Sequence, residues 1–358
     1  MSNELKSSQH YFNLTVKKVT RETHNAISIV FAQPSPKIHY KPGQFLNLIA
    51  NIGGQEVRRA YSLCSSPFVD DDLIVTVKRV RNGLMSNWLA DNVKVGDKLK
   101  VMEPLGHFTT EMAKENKQHL VMFSRGSGIT PIISILKSVM AEEPNSICSL
   151  IYYNRDADNI IFKDELERWQ TRHSGRLHII HVLEHAPDDW EGHAGSLDQK
   201  MLEKLLNQIP DWGFSRTSYF MCGPESMMKN VESFLTEQGI PADKILREKF
   251  IQGSSHKDTS AKPPLANVVR LVTIRYGGQE HTVNVHPSNT ILQAALDQDI
   301  DIPYSCQNGY CTACRGKALS GNVRLDEEEG LSQTERNEGY VLTCVGHPLS
   351  DDVVIEIS

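Results

Sequence analysis

Four of the chain's seven cysteines, Cys306, Cys311, Cys314 and Cys344, fall within 39 residues in the spacing C-x4-C-x2-C-x29-C. No other feature restricts the fold as tightly, because four soft thiolates have to be delivered to one point. The first three sit in SCQNGYCTACRGK, a stretch that also holds Gly309 and Gly316. A loop lets successive backbone amides turn toward thiolate sulfur, and Gly309 lets the chain turn without a Cβ clash. The remaining cysteines, Cys64, Cys148 and Cys222, are scattered and read as small buried hydrophobes.

The opening MSNELKSSQHYF is polar and shows no leader-like apolar run, and no stretch reaches the apolar length of a membrane span. The expected setting is therefore the cytoplasm, where a cysteine cluster signals metal or redox chemistry more often than disulfides. Structural zinc prefers C-x2-C pairs, which only Cys311 and Cys314 supply. A Rieske centre needs two histidine ligands, and none has matching spacing. The observed spacing is that of a plant-type [2Fe–2S] centre, so the four cysteines are expected to hold such a cluster.

Charge separates the cluster region from the rest. The chain carries a net −6, but residues 268–358 hold 6 Lys+Arg against 13 Asp+Glu, a net −7, leaving the first 267 residues at +1. An acidic module on a near-neutral body argues against a nucleic-acid partner. The run Asp326-Glu327-Glu328-Glu329 reads first as a solvated turn and second as a docking patch for a basic partner. With 39% hydrophobic and 23% charged residues, 358 residues make two or three soluble domains.

Residues 10–108 predict six strands, 11–19, 26–31, 45–49, 55–63, 73–80 and 98–102, with turns at Pro42-Gly43 and Gly53-Gly54. Many short strands with little helix predict an antiparallel β-barrel. From residue 118 the period changes: strands at 119–123, 147–153, 177–183 and 218–222 alternate with helices at 131–140, 163–171, 197–207 and 225–238. That alternation predicts a doubly wound parallel sheet. Residues 251–267, rich in Ser, Lys, Pro and Ala, read as a linker. Beyond it come strands at 269–276 and 279–285, a helix at 290–297 and the cysteine loop. The expected domains are a barrel over 8–112, an α/β domain over 113–250, the linker, and an α+β cysteine domain over 268–358.

Three further motifs accompany the cysteines. Arg59-Ala60-Tyr61-Ser62 lies on a barrel strand, where alternation places Arg59 and Tyr61 on one face and Ser62 on the other. Lys78-Arg79-Val80-Arg81-Asn82-Gly83-Leu84-Met85-Ser86 is a glycine turn into a helix predicted over 84–90, whose free amides suit an anion. Gly126-Ser127-Gly128-Ile129-Thr130-Pro131 follows a strand and opens a helix with proline expected at its first position, a placement that lets a pyrophosphate approach the backbone. Cys222-Gly223-Pro224 ends another strand.

Residues 268–358, with GYVLTC leading to Cys344, resemble a plant-type ferredoxin of β-grasp fold. The other motifs resemble R-x-Y-S, the pyrophosphate loop, G-x-G-x-x-P and CGP of the ferredoxin-reductase family. The whole order resembles the flavin-dependent reductases of multicomponent oxygenases, in particular the phenylacetyl-CoA epoxidase reductase and 3-ketosteroid 9α-hydroxylase reductase group. The resemblance implies that Arg59 meets the flavin phosphate, Tyr61 packs on the isoalloxazine and Ser62 reaches toward N5. It implies flavin contacts from Ala60, Val77, Lys78, Gly83, Leu84, Met85 and Ser86, and FAD rather than FMN, since FMN-using relatives are shorter at this loop. It assigns NAD(P)H to Gly126, Ser127, Gly128, Thr130, Gly223, Pro224 and Phe250, with Cys222 beside the hydride-transfer position. Arg155 would pair with a 2′-phosphate, whereas Asp156 and Asp158 would favour a free ribose diol, so NADH and NADPH both stay open.

These parts imply a relay in which NAD(P)H reduces the flavin and single electrons pass to the cluster and then to a terminal oxygenase or another acceptor protein. A stand-alone oxidoreductase acting on a small acceptor is the alternative, although no extra substrate domain is visible. A non-enzymatic iron–sulfur carrier would leave the flavin and dinucleotide motifs without a use.

Overall fold

A computed structural model of the chain describes residues 11–250, 268–304, 307, 309, 312–328 and 330–357. The expected linker 251–267, Cys306, Cys311 and Glu329 lie outside the described residues. The chain divides into two compact units, one spanning Tyr11–Val57 and Tyr61–Phe250, the other grouping the C-terminal region with Arg58–Ala60.

The first unit begins with β1 (Tyr11–Thr23), β2 (Ala26–Phe31), β3 (Phe45–Ile52), β4 (Gln55–Ser62), β5 (Leu73–Lys78), helix α1 (Leu84–Asn92) and β6 (Lys98–Met102). All six expected strands are present, in the order β4-β3-β6-β1-β2-β5. The edge strands meet: Leu63 bridges Val75, and the Cys64 N–H donates to the Ile74 carbonyl at 2.9 Å, so the sheet closes into a barrel. Its interior is apolar because alternate residues of every strand turn inward, among them Leu14, Val16, Ile29, Phe31, Leu48 and Val75. Each such side chain contributes about 1.5–3 kcal/mol when withdrawn from water. Gly53 and Gly54 both take positive φ, +62° and +84°, as the tight β3–β4 turn requires.

A parallel sheet follows in the same unit. Its strands are β7 (His119–Arg125), β8 (Ile147–Asn154), β9 (Leu177–Leu183), β10 (His193–Ala194), β11 (Thr217–Cys222) and β12 (Ile245–Glu248), ordered β10-β9-β8-β7-β11-β12. Helices α2 (Ile129–Glu142), α3 (Lys163–Arg172), α4 (Gln199–Leu206) and α5 (Glu225–Glu237) connect them. β8 is buried at all eight positions, as expected of a central strand covered on both faces. The α2 face of this sheet shares its core with barrel residues Ala26, Cys64 and Phe108.

The proline expected to open α2 stands slightly inside it. The helix starts at Ile129, so Pro131 occupies its third position, where the missing N–H still costs no intrahelical bond. β10 and β12 have no counterpart among the expected elements. Two and four residues, respectively, are too short for a period to register.

The C-terminal unit holds β13 (Arg270–Tyr276), β14 (Gln279–Val285), α6 (Ile291–Leu296), β15 (Arg315–Ser320), β16 (Val323–Leu325), α7 (Gln333–Asn337), β17 (Tyr340–Leu342), β18 (Gly346–Pro348) and β19 (Val353–Glu356). Five strands form a mixed sheet, β14-β13-β19-β15-β17, in which β13 and β19 run parallel, while β16 pairs with β18. Thr290 caps α6 by accepting from the Gln293 N–H at 3.2 Å, and the helix buries Ile291, Leu292, Ala294 and Ala295. The multidomain expectation of barrel, parallel α/β sheet and α+β cysteine domain is met.

Candidate active site and metal centre

The chain leaves β7 toward β8, β9 and β10, then returns to the opposite side for β11 and β12. The carboxyl ends of β7 and β11 therefore flank a topological switch point, the usual place for a ligand in such sheets. Gly126 opens a short 3₁₀ turn there with φ +56°, and the turn runs into α2. A Cβ on Gly128 would stand 2.0 Å from the Cys222 carbonyl oxygen, so only glycine fits. A Cβ on Gly223 would meet Met227 Cε at 2.8 Å and Arg125 Cβ at 3.2 Å. The GSG and CGP loops thus interlock at backbone distance. From β8, the Tyr152 hydroxyl donates to the Gly126 carbonyl at 3.0 Å, while Thr130 Oγ1 donates to the Ser127 carbonyl at 2.9 Å.

Three cations gather at this loop. Lys78, the last residue of β5, brings its ammonium within 3.3 Å of where a Gly126 Cβ would stand. Burial, then Arg125 and Arg155, pull the Lys78 ammonium below the ordinary lysine range. Arg125 pairs with Glu184 at 2.6 Å and lies 4.7 Å over the Tyr153 ring, and Arg155 pairs with Asp156 at 3.1 Å. Among the described residues, no carboxylate pairs with Lys78. A half-buried cation paired with no carboxylate among the described residues, beside amides and two further cations, suits a pyrophosphate.

Asp156 is occupied otherwise than the sequence suggests. It caps the 3₁₀ turn Ala157–Asn159, accepting from the Asn159 N–H at 3.1 Å and side-chain amide at 2.6 Å, besides Arg155. Its carboxylate is committed to holding the loop, while Arg155 remains largely exposed.

Cys222 is fully buried, and burial pushes its thiol well above the ordinary range. It is a neutral, uncharged side chain, unsuited to nucleophilic attack. Glu248 is its direct neighbour on the parallel strand β12. Burial pushes the Glu248 carboxyl up to about 8, although the residue as a whole keeps some exposure. Phe250 packs, partly buried, against the same core that contains Cys222. Sequence reasoning missed Glu248, Arg125 and Tyr152. None of the three falls within a motif that the sequence marks out.

The flavin motif occupies the end of β4. Arg59 and Ala60 are exposed, Tyr61 is half-buried against the barrel core, and Ser62 is buried. The Arg59 guanidinium turns back to donate to the Arg58 carbonyl at 2.7 Å. Helix α1 starts at Leu84, as expected, after Asn82 and the extended Gly83. Ser86 Oγ accepts from the Val80 N–H at 3.1 Å and so fixes the turn itself. A Cβ on Gly83 would lie 2.6 Å from that oxygen, which accounts for the glycine. First-turn amides of α1 have no acceptor one turn back and are left for an anion. Two of the expected contacts are open to the backbone alone. Val77 is fully buried and Met85 nearly so, both in the barrel core, so only their backbones can face a cofactor. The Tyr61 ring and the free first-turn amides of α1 fit a flavin bearing a diphosphate.

In the C-terminal unit, Cys314 and Cys344 are buried, and neither is in a disulfide. β15 and β17 pair Arg315 with Leu342, and just beyond that pair Thr343 binds the Cys314 carbonyl through its N–H at 3.1 Å and Oγ1 at 3.2 Å. The two cysteine segments are thereby tied together. Gln307, Gly309 and Thr312 all take left-handed φ, 57°, 79° and 54°, so the chain bends sharply at each of them. A Cβ on Gly309 would meet Glu327 Cβ at 2.9 Å, so the loop packs against the acidic run. Within that run, Asp326 accepts from Arg324 at 3.2 Å and bonds His347 at 2.8 Å, while Glu328 lies 3.7 Å from Arg336. The two described cysteines, buried and tied together, suit an iron–sulfur cluster; the other two expected ligands, Cys306 and Cys311, lie outside the described residues.

Residues 13–110 match the oxidoreductase FAD-binding domain family, residues 122–233 the oxidoreductase NAD-binding domain family, and residues 274–349 the 2Fe-2S iron-sulfur cluster binding domain family. The chain is 32% identical over 350 residues to a subunit of the 1,2-phenylacetyl-CoA epoxidase of Escherichia coli (strain K12), covering 97% of both chains. It is 35% identical to the ferredoxin reductase component of 3-ketosteroid-9-alpha-monooxygenase from Rhodococcus rhodochrous, covering 96% of both. The chain belongs to the ferredoxin-reductase-type oxygenase reductases with a C-terminal [2Fe–2S] domain. It is an NAD(P)H-dependent oxidoreductase that carries FAD and a [2Fe–2S] cluster. Two solved structures share the reductase's fold. Phthalate dioxygenase reductase aligns with TM-score 0.59 at 21% identity over 97% of this chain and 98% of that one. A type IV self-sufficient cytochrome P450 monooxygenase aligns with TM-score 0.70 at 22% identity over 97% of this chain, which spans 41% of that longer protein. Among the described residues of the reductase, no helix is long and apolar enough to cross a membrane.

Proposed function

We propose that this reductase draws electrons from NAD(P)H and delivers them singly to a terminal oxygenase, in the cytoplasm. The observation that carries the site assignment is the interlocked switch point, where Gly128 lies on the Cys222 carbonyl beside the half-buried Lys78 ammonium. FAD, when bound, accepts two electrons together and releases them one at a time, and the [2Fe–2S] cluster carries one.

The chain's residues then have distinct tasks. The amides of Gly126–Gly128, with Lys78, Arg125 and Arg155, hold the dinucleotide pyrophosphate and ribose. Because Gly128 and Gly223 present no side chains, the nicotinamide ring can lie against Cys222, Pro224 and Phe250. Arg59 and the first-turn amides of α1 hold the flavin diphosphate, Tyr61 walls the ring, and Ser62 faces its reacting edge. Glu248, protonated to about pH 8, offers a proton beside Cys222. Cys306, Cys311, Cys314 and Cys344 ligate the cluster. The domain limits 8–112, 113–250 and 268–358 are supported by family matches that fall inside each.

Anaerobic addition of NADH or NADPH should bleach the flavin absorbance, and cytochrome c should be reduced without any organic product. Hydroxylation or epoxidation should appear only when an oxygenase is added. Full turnover of an organic substrate by the reductase alone would reject the assignment.

A further inference from the structure

Helix α2 is buried from Ile129 to Met140, yet it carries a polar stripe. Thr130, Ser134, Lys137 and Ser138 stand at i, i+4, i+7 and i+8, which is one face of a helix. Beyond Thr130, whose hydroxyl stays within its own turn, the stripe meets the segment just after Ser62. Ser134 Oγ donates to the Ser65 carbonyl at 2.6 Å, and Ser138 Oγ bonds Ser66 Oγ at 2.7 Å. The Lys137 ammonium, 4% exposed, lies 2.7 Å from Asp70 Oδ2 and 3.2 Å from Glu165 Oε1. Asp70 Oδ2 also accepts from the Ser66 N–H at 2.7 Å, and Ser65 Oγ accepts from Tyr40 at 2.8 Å. Burial pulls the Lys137 ammonium down, but Glu165 and Asp70 outweigh it and keep the group charged.

A buried ammonium is expensive, and an apolar side chain of similar volume would pack there at no such cost. What an ammonium between two carboxylates supplies is registry, because only one placement of the three groups satisfies all of them. One carboxylate belongs to the β4–β5 connection of the barrel and the other to α3 of the parallel sheet. The same helix has the GSG loop at its amino end. α2 is therefore a rod whose head is the dinucleotide loop and whose flank grips the chain three to eight residues beyond Ser62.

We propose that Lys137 is a positioning residue, holding the flavin-bearing strand in register with the dinucleotide loop and thereby setting the hydride-transfer geometry. This rests on the site assignment given under Proposed function. The test uses the full-length, flavin-loaded protein, with NADH and NADPH in protiated and 4-deuterated form. Flavin bleaching is followed by anaerobic stopped flow, and steady-state ferricyanide reduction supplies KM. Lys137→Met should keep its flavin and a KM within about twofold, bleach about tenfold more slowly and show a larger deuterium isotope effect, since small misplacements of reacting centres cost that much. Lys137→Arg should recover most of the rate. Asp70→Asn, which still accepts from Ser66, should slow bleaching in the same direction and serves as the test if Lys137→Met does not fold.

Folded Lys137→Met or Asp70→Asn with unchanged bleaching and isotope effect would overturn the proposal. Equal loss in Lys137→Met and Lys137→Arg would also overturn it, because the contribution would then be packing alone. Gly128→Ala and Ser62→Ala separate the two levels of inference. If both leave flavin reduction unchanged, the site assignment fails and the positioning role with it; if they impair it while the Lys137 and Asp70 variants do not, only the positioning role fails.

Discussion

Gly128 shows how a single missing methyl group lets two loops interlock. With 2.0 Å to the Cys222 carbonyl, an added Cβ must push apart the two loops at the switch point. Gly128→Ala should leave flavin occupancy unchanged, read as the ratio of visible to ultraviolet absorbance, while raising the KM for the nicotinamide cofactor at least about tenfold, or about 1.4 kcal/mol. Lys78→Met should raise the same KM and reduce its dependence on ionic strength, because the ammonium there is half-buried and has no carboxylate partner among the described residues. Glu248 makes a pH prediction. The folded chain holds its proton up to about pH 8, whereas the unfolded chain releases it near 4.5. The folded state therefore binds more protons between those values, and its stability falls as pH rises through that window. Glu248→Gln does not titrate, so its Tm should gain on the wild type when pH goes from 5 to 9. Tm values of the two proteins that run parallel across this pH range would refute the prediction.

At the scale of elements, the ties around Cys314 and Cys344 can be separated from the ligands. Cys344→Ser should abolish the cluster's visible absorbance and cytochrome c reduction yet leave ferricyanide reduction by NAD(P)H intact. Thr343→Val should remove only the Oγ1 bond to the Cys314 carbonyl, costing about 1 kcal/mol in denaturant titrations. How well each element could be read from sequence follows its length and its environment. The strands of the barrel and parallel sheet, and the Gly277-Gly278 hairpin between β13 and β14, announce themselves through period and turn chemistry. Four of the strands after the cysteine loop, β16 to β19, have three or four residues, too few for alternation to be distinguished from chance. The site divides in the same way. Arg59, Gly126, Gly128 and the cysteines carry local signatures, whereas Glu248, Arg125 and Tyr152 come to the switch point only when distant strands become neighbours. Val77 and Met85 sit in motif positions whose side chains the barrel core claims for packing.

For the whole molecule, the division into two compact units makes a direct prediction. A chain ending at residue 250 should retain flavin and NAD(P)H-dependent ferricyanide reduction, and lose cytochrome c reduction together with the iron–sulfur absorbance. If truncation also removes flavin reduction, the first unit does not function alone. The order of the parallel sheet has another consequence, for biosynthesis. β7 is flanked on one side by β8, which follows it closely, and on the other by β11, which begins about a hundred residues later. At ribosomal speeds of about 5–20 residues per second, that interval is about 5–20 s. During it the barrel strands are already available to close, while the GSG loop has a wall on only one side. The nascent barrel can thus be ready for FAD before the switch point has both of its walls.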